Sequence, residues 1–219
     1  MFDDYSEADQ KLKPPKKPQR VLVVFLLGAL CFLISQVFTR ILLLGWLQKQ
    51  PGIVAWMISF PLLSGVLIAL SAGLFEESGR FIFKALAIKP DKAPYWEPIV
   101  FGLGHGLSEA VWVLRPMFGI MQLIGLDQLT LPILERLLAI VMHIGFSVLV
   151  WNGFQLNKRW QYLLIAILAH GLVNTFIPLA ARWGWDVVKL ETLFAVAAGF
   201  LLIYVIHSRK NYQKEESHD

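Results

Sequence analysis

The chain has 219 residues, of which 56% are hydrophobic and only 16% carry a charged side chain. A soluble domain of this length could not bury so much apolar surface, so the composition excludes a soluble globular protein. The single cysteine excludes an intrachain disulfide. The net charge of +4 comes largely from basic residues between apolar runs, so it does not indicate a nucleic-acid partner.

The chain begins with a polar tail, residues 1–20, in which acidic residues precede basic residues and three prolines. This composition predicts a disordered segment at the cytoplasmic membrane surface. Residues 21–207 are predicted to form one transmembrane domain, and residues 208–219 a second cytoplasmic tail. Because a span needs about 20 apolar residues, we predict an all-α polytopic protein with six transmembrane helices, at residues 21–47, 53–88, 98–114, 131–154, 160–179 and 187–207.

The distribution of basic residues predicts the orientation of these spans. Thirteen Lys and Arg residues fall in the tails and loops on the side of the N-terminus, and four on the other side. The positive-inside rule then places both termini in the cytoplasm, with the lipid bilayer of a bacterial cytoplasmic membrane around the domain. Pro61 is expected to kink the second span, and residues 117–126 to form an interfacial or re-entrant piece.

The second span contains three charged side chains within five residues, Glu76, Glu77 and Arg80. Each charge at the centre of a membrane helix costs about 2.5–3.5 kcal/mol on insertion scales, so such groups must pair or line a wet cavity. Arg80 follows the two carboxylates by four and three residues and can reach either of them on a helix. We therefore expect one carboxylate to be neutralised by Arg80 and the other to be available for chemistry.

Three of the five histidines lie inside predicted spans, each on a different helix: His105, His143 and His170. Glu109 follows the first of them by one helical turn, and Asn174 follows the last in the same way. Counted from the predicted inner ends, the histidines and Glu76 all lie roughly 10–17 Å deep. Scattered packing histidines have no reason to share a level, so this pattern predicts a site.

Imidazole and carboxylate groups are a usual ligand set for catalytic zinc, which also keeps one position for water. A nearby carboxylate can take the proton of that water, and Asn or His can stabilise an oxyanion. No His-Glu-x-x-His or Gly-x-Ser-x-Gly pattern is present. Glycines beside the histidines allow either a close-lying substrate strand or close helix packing. For Glu135 and Arg136, a snorkelling or interhelical pair is the preferred interpretation.

Glu76-Glu77-x-x-Arg80, Phe101-x-x-x-His105 and His170-x-x-x-Asn174 resemble the three ordered motifs of the CAAX-protease and bacteriocin-processing intramembrane peptidases. The Gly-His-Gly-x-x-Glu pattern of residues 104–109 and the additional His143 are most similar to the YhfC branch of membrane metallopeptidases. The resemblance covers residues 70–180.

The resemblance implies an endopeptidase in which Glu76 activates water beside His105. His170 and Asn174 would hold the metal or the oxyanion, and Glu77 and Arg80 would support this geometry. Two features depart from the three-motif pattern. The CAAX enzymes usually have three residues between the Glu pair and the Arg, not two, so the partner of Arg80 is open. Glu109 and His143 have no counterpart there. They could complete a metal site made of His105, His143, His170 and Glu109.

The sequence therefore predicts an intramembrane endopeptidase with a zinc site, acting on a peptide or membrane-protein substrate. We expect its site to open to the cytoplasmic half of the bilayer. A membrane scaffold or immunity-type protein without catalysis stays open as an alternative. So does a proton- or metal-coupled transporter, since Glu and His chains also form proton relays, although no internal repeat is found. The sequence indicates neither the substrate-binding residues nor the oligomeric state.

Overall fold

The computed structural model describes residues 17–88, 92–119 and 126–212. The predicted disordered tail lies outside these ranges for residues 1–16, as do residues 213–219 and most of the predicted re-entrant piece. The helices in chain order are α1 (Lys17–Phe32), a π-helical segment (Leu33–Ile41), α2 (Leu42–Leu47), α3 (Pro51–Ser59), α4 (Pro61–Leu86), α5 (Trp96–Gly119), α6 (Thr130–Gln155), α7 (Arg159–Trp183) and α8 (Val187–Ser208). Short 3₁₀ turns at Leu126–Leu129 and Arg209–Asn211 complete the description.

Local sequence explains where several helices begin and end. Pro51 and Pro61 occupy the first positions of α3 and α4, where a missing N–H costs nothing. The expected kink at Pro61 is thus a break between two helices. Gly184 ends α7 in the left-handed conformation, with φ of 65°, which glycine adopts without strain. Asp186 caps α8 by accepting a hydrogen bond from the backbone N–H of Lys189.

Five helical stretches are long and apolar enough to cross a membrane: Pro18–Leu47, Pro61–Leu86, Thr130–Gln155, Arg159–Trp183 and Val187–Asn211. The 24 residues of α5 span about 36 Å at helical rise, which is also long enough to cross. Large apolar side chains are exposed on these helices, for example Phe38, Phe200 and Ile203. An all-α multi-pass membrane protein with about six transmembrane helices is therefore confirmed, while its orientation stays a prediction.

The helices pack mainly as the pairs α4–α7, α5–α6, α1–α5 and α6–α8, so α5 lies between α1 and α6. Glycines permit two of these approaches. A Cβ on Gly102 of α5 would lie 2.7 Å from the His143 carbonyl oxygen of α6, and one on Gly73 of α4 would lie 2.7 Å from the Gly171 nitrogen of α7. Of the two interpretations of the glycines beside the histidines, the structure supports close helix packing.

We call the end of the bundle where α1 and α7 begin and α6 and α8 end the basic end, because Arg20, Arg159 and Arg209 lie there. The interior of this end is tightly filled by Phe101, Trp151 and other apolar side chains. Lys84, which the sequence indicated as a residue of a cytoplasmic segment, is wholly buried there. Its charge therefore does not face water, and without it twelve basic residues on the predicted cytoplasmic side still compare with four on the other.

Candidate metal centre

The charged triplet of α4 divides into two parts. The Arg80 guanidinium forms a direct ion pair with Glu77, and its Nη2 lies 3.9 Å from the nearer oxygen of Glu76. Nη2 also lies 2.5 Å from Nδ1 of His143. One carboxylate is thus neutralised by Arg80 and the other is not in direct contact with it. The partner of Arg80 that its spacing left open is therefore Glu77, together with an imidazole of α6.

Two residues of α5 face this triplet. His105 is fully buried, and its Nε2 lies 3.0 Å from Oε2 of Glu76. Glu109, one turn further along, contacts Nε2 of His143 through its own Oε2. The close approach of α5 to α6 at Gly102 holds both groups against His143, because any side chain there would push the helices apart. The one-turn spacing of His105 and Glu109 thus places both on the interior face of α5.

Four side chains from α4, α5 and α6 form one compact cluster: Glu76, His105, Glu109 and His143. One donor atom from each lies within 4.8 Å of the others. The imidazole rings of His105 and His143 are 4.7 Å apart between centroids. Such a set of nitrogen and carboxylate-oxygen donors is of the kind that binds zinc and other transition metals.

The two predicted site residues of α7, His170 and Asn174, lie beside this cluster and not in it. His170 of α7 bonds through Nδ1 to Oε1 of Glu77 at 2.6 Å, and its ring stacks on Phe146. It is 5.9 Å from the ring of His143 between centroids. Asn174 lines the same cavity one turn along α7. The structure therefore places Glu77, Arg80 and His170 in one connected set that borders the four clustered donors.

The sequence predicted only a snorkelling or interhelical pair for Glu135 and Arg136, and the structure connects this pair to the cluster. Arg136 of α6 donates to Oε1 of Glu109 at 2.8 Å and also pairs with Glu135. It therefore fixes the carboxylate whose other oxygen contacts His143. The interpretation as an interhelical ion pair agrees with the structure, but the acid that it joins belongs to the cluster. A guanidinium within an apolar run was the available signal.

A cavity of about 450 Å³ lies against the cluster. Its α4 wall runs from Gly65 to Glu76 and its α7 wall from His170 to Ala181. On α6 its lining begins at Glu135 and extends no further than Phe146. Because α4 to α8 run in alternating directions along the chain, nearly all these residues lie level with the cluster or between it and the end opposite the basic end. The cavity therefore extends away from the basic end, and the expected opening toward that end is wrong.

The charges and polar atoms of the cluster fit a divalent cation. Glu76 and Glu77 share one guanidinium within 4 Å, Arg80, and Glu109 and Glu135 likewise share Arg136. Carboxylates thus outnumber the cations paired with them. Four buried polar atoms in or beside the cluster find no hydrogen-bond partner among the described residues: Glu77 Oε2, Arg80 Nε, His105 Nδ1 and Arg136 Nε. Buried groups are rarely left so in proteins, so the unmatched charge and donors indicate a place for an ion or water.

Comparison with known proteins agrees with this chemistry. Residues 15–130 and 120–198 match the sequence profile of the YhfC intramembrane metalloprotease family. The chain is also 27% identical over 228 residues to the uncharacterized membrane protein YhfC of Bacillus subtilis strain 168, covering 88% of this chain and 86% of that protein. No solved structure matches the chain. The chain belongs to the YhfC intramembrane metalloprotease family.

Proposed function

We propose that the protein is an intramembrane metalloendopeptidase of the bacterial cytoplasmic membrane, related to the CAAX-type peptidases. Its substrate is a peptide or a membrane-associated protein. The observation that carries this proposal is the cluster of four donors on three helices, within 4.8 Å of one another, on the wall of a cavity of about 450 Å³. A site with donors at its floor and room for a peptide segment supports hydrolysis better than a purely structural role.

We assign His105, His143 and Glu109 as the residues that hold the metal, with zinc as the best-suited ion. Two histidines and one glutamate leave a fourth position open, as in known catalytic zinc sites. Glu109 suits this role because Arg136 fixes one of its oxygens at 2.8 Å and leaves the other directed at His143. A zinc ion held there would supply Lewis acidity toward water and the peptide carbonyl group.

Glu76 is then the general base. Its Oε2 lies 3.0 Å from Nε2 of His105, and Arg80 lies at 3.9 Å, so its carboxylate is not fully engaged by donors. It borders the cavity and takes the proton of the attacking water. The same proton then passes to the leaving amine, so the carboxylate is regenerated when the peptide bond breaks.

His170 and Asn174 face the same cavity from α7 and stabilise the carbonyl oxygen of the substrate. Glu77 accepts a hydrogen bond from Nδ1 of His170, which fixes the ring and leaves Nε2 for the substrate. Arg80 balances the charge of Glu77. In this assignment Glu77 and Arg80 position other groups and do not touch the substrate.

The first test counts zinc per chain by elemental mass spectrometry, after purification in detergent without chelator. We expect about one zinc per chain in the wild type, and its loss in His105→Ala and His143→Ala. His170→Ala should keep the metal, because its imidazole bonds to Glu77 outside the four-donor cluster. His207→Ala, which removes an exposed imidazole of α8, is the matched control.

Absence of zinc from the wild type, even after addition of zinc salt, would overturn the metal assignment. Loss of zinc from His170→Ala but not from His143→Ala would show that His170, and not His143, is the second histidine ligand. Hydrolysis by the zinc-free protein would leave Glu76 and His105 as an unaided water-activating pair.

A further inference from the structure

One cation in the cavity wall has no part in the proposed chemistry. Arg40 lies in the π-helical segment and borders the same cavity as Glu76 and Glu109. Its guanidinium donates to the Ser71 hydroxyl at 2.9 Å, to the Gln36 side-chain oxygen at 3.0 Å and to the Ile68 carbonyl oxygen at 2.7 Å. All three acceptors are neutral groups.

Within the described part of the chain, Arg40 forms no ion pair. Glu76 and Glu109 act on its charge only through space. A divalent metal in the neighbouring cluster would offset the charge of those carboxylates, so this step rests on the proposed function. A half-buried guanidinium in an apolar helix is costly without a counter-charge. The structure therefore leaves a positive group in the cavity for which a ligand can supply the partner.

The contacts with α4 give its position along the cavity. Ile68 and Ser71 precede Glu76 by eight and five residues. At helical rise these separations are about 12 and 7.5 Å, measured away from the basic end. An extended peptide advances about 3.3 Å per residue. A peptide whose cleaved bond lies at Glu76 therefore reaches the guanidinium with a group about two to four residues away.

On α4 and α7 the wall between these two points is mainly apolar, with Ala69, Ala72, Val173 and Ile177 beside the amide of Asn174. On α6 the lining includes Glu135 and Arg136, which pair with each other. Small or apolar side chains of a substrate fit such a wall, whereas a charge there would be desolvated without a partner. On the side of α4 and α7 the cavity thus presents the donor cluster, a mainly apolar passage and then the guanidinium of Arg40, whereas the guanidinium of Arg136 on α6 is already paired with Glu109 and Glu135.

We propose that Arg40 binds a substrate carboxylate two to four residues from the cleaved bond, with apolar residues between them. A guanidinium presents parallel N–H groups that match the two oxygens of a carboxylate. The carboxylate is either the free C-terminus of the substrate or an acidic side chain. Arg40 is a specificity-determining residue and takes no part in bond cleavage.

The test uses binding, measured by isothermal titration calorimetry on the full-length protein in detergent, both zinc-loaded and chelator-treated. The probes are four N-acetylated apolar pentapeptides: a free acid, its C-terminal amide, and two amides that end in Asp or Asn. We expect the free acid or the Asp peptide to bind about tenfold or more tightly than its neutral counterpart, because hydrogen bonds to charged groups are the strong ones. A preference confined to the free acid identifies the C-terminus, and one confined to Asp identifies a side chain.

Two substitutions should remove this preference. Arg40→Gln removes the guanidinium. Gln36→Glu keeps it but places a carboxylate at the position of its 3.0 Å contact, so the protein supplies the counter-charge itself. Arg182→Gln removes an exposed guanidinium at the C-terminal end of α7. This control variant should keep the preference for a carboxylate. If Arg40→Gln fails to elute as a monodisperse species, Gln36→Glu decides.

Equal affinity of the wild type for acid and neutral probes would overturn the proposal. So would a preference that survives in Gln36→Glu and in a folded Arg40→Gln. Measurements with and without zinc distinguish failure of the Arg40 proposal from failure of the proposed metallopeptidase function. A carboxylate preference in a protein that never binds zinc supports the role of Arg40 and removes the metallopeptidase assignment. A protein that binds zinc but shows no carboxylate preference supports the metallopeptidase assignment and removes the role of Arg40.

Discussion

Two carboxylates of this protein are almost equally buried but differ in their surroundings. Glu97, near the basic end, is 0% exposed and Glu76, at the floor of the cavity, is 2% exposed. Glu97 accepts hydrogen bonds from Arg20 at 2.8 Å, Lys84 at 3.5 Å and Trp151 at 3.2 Å. Glu76 has one close contact, Nε2 of His105. Burial alone thus does not separate these two acids, whereas the number of hydrogen-bond donors around each of them does.

The two regions around these acids follow the same distinction. Beside Glu97 the interior is filled by large side chains such as Phe101 and Trp151. Beside Glu76 there is a cavity and an excess of carboxylates over paired guanidinium groups. A buried carboxylate whose oxygens accept several hydrogen bonds stabilises helix contacts, and one with few donors can take part in a reaction. Substitution of each acid tests this difference.

The largest effect is expected for Glu76→Gln. The amide keeps the shape of the side chain but cannot take a proton from water, so peptidase activity should fall by about two to four orders of magnitude. Zinc content should stay at the wild-type value, because His105, His143 and Glu109 are the proposed ligands. Activity on a casein or peptide-library substrate and elemental analysis of the same preparation provide the measurement. Loss of zinc would instead make Glu76 a ligand.

Glu97→Ala should act on stability and not on the site. It removes the acceptor shared by Arg20, Lys84 and Trp151, and truncating one partner of a buried ion pair costs about 3–5 kcal/mol. The free energy of unfolding in mixed detergent–SDS micelles would show this loss. Zinc per folded chain should be unchanged. A stability equal to that of the wild type would contradict the view that Glu97 is a structural acid.

The smallest effect is expected at an exposed carboxylate. Asp186 lies outside the membrane-spanning segments, and the hydrogen bond from the backbone N–H of Lys189 lowers the pKa of Asp186 below its usual 3.8. A lowered folded-state pKa contributes stability above the unfolded pKa, and this contribution is lost as pH falls through the folded value. Asp186→Ala should therefore lower the Tm slightly at pH 7, and this difference should shrink below pH 3.8. A difference that grows on acidification would contradict the capping role.

Part of the site could be predicted because helical periodicity is local. Glu109 and Asn174 each follow a histidine by four residues, which places each pair on one helix face whatever the neighbouring helices do. Equal depth in the membrane then indicated that Glu76, His105, His143 and His170 belong together, and the structure places them within one region. The long apolar runs fixed the all-α membrane class, since only helices or barrels satisfy backbone groups in lipid.

Which partner each polar group takes was decided by tertiary packing. The sequence allowed Arg80 to pair with either Glu76 or Glu77, and His170 to join the metal ligands or to stand beside them. Rotation of α4 and α7 about their axes selects Glu77 for both. No local rule gives that rotation, because it depends on how small residues such as Gly73 and Gly171 let the two helices approach.

By itself, the sequence determined the all-α membrane class and predicted one common level for Glu76 and the three histidines, because apolar length and helical period act along the chain. Tertiary structure alone decided the burial of Lys84, the placement of Arg40 beside the cavity and the direction in which that cavity extends. These features depend on distances between residues far apart in sequence. They follow from which faces of packed helices meet, and hydrophobic pattern does not specify this because both lipid and protein neighbours are apolar.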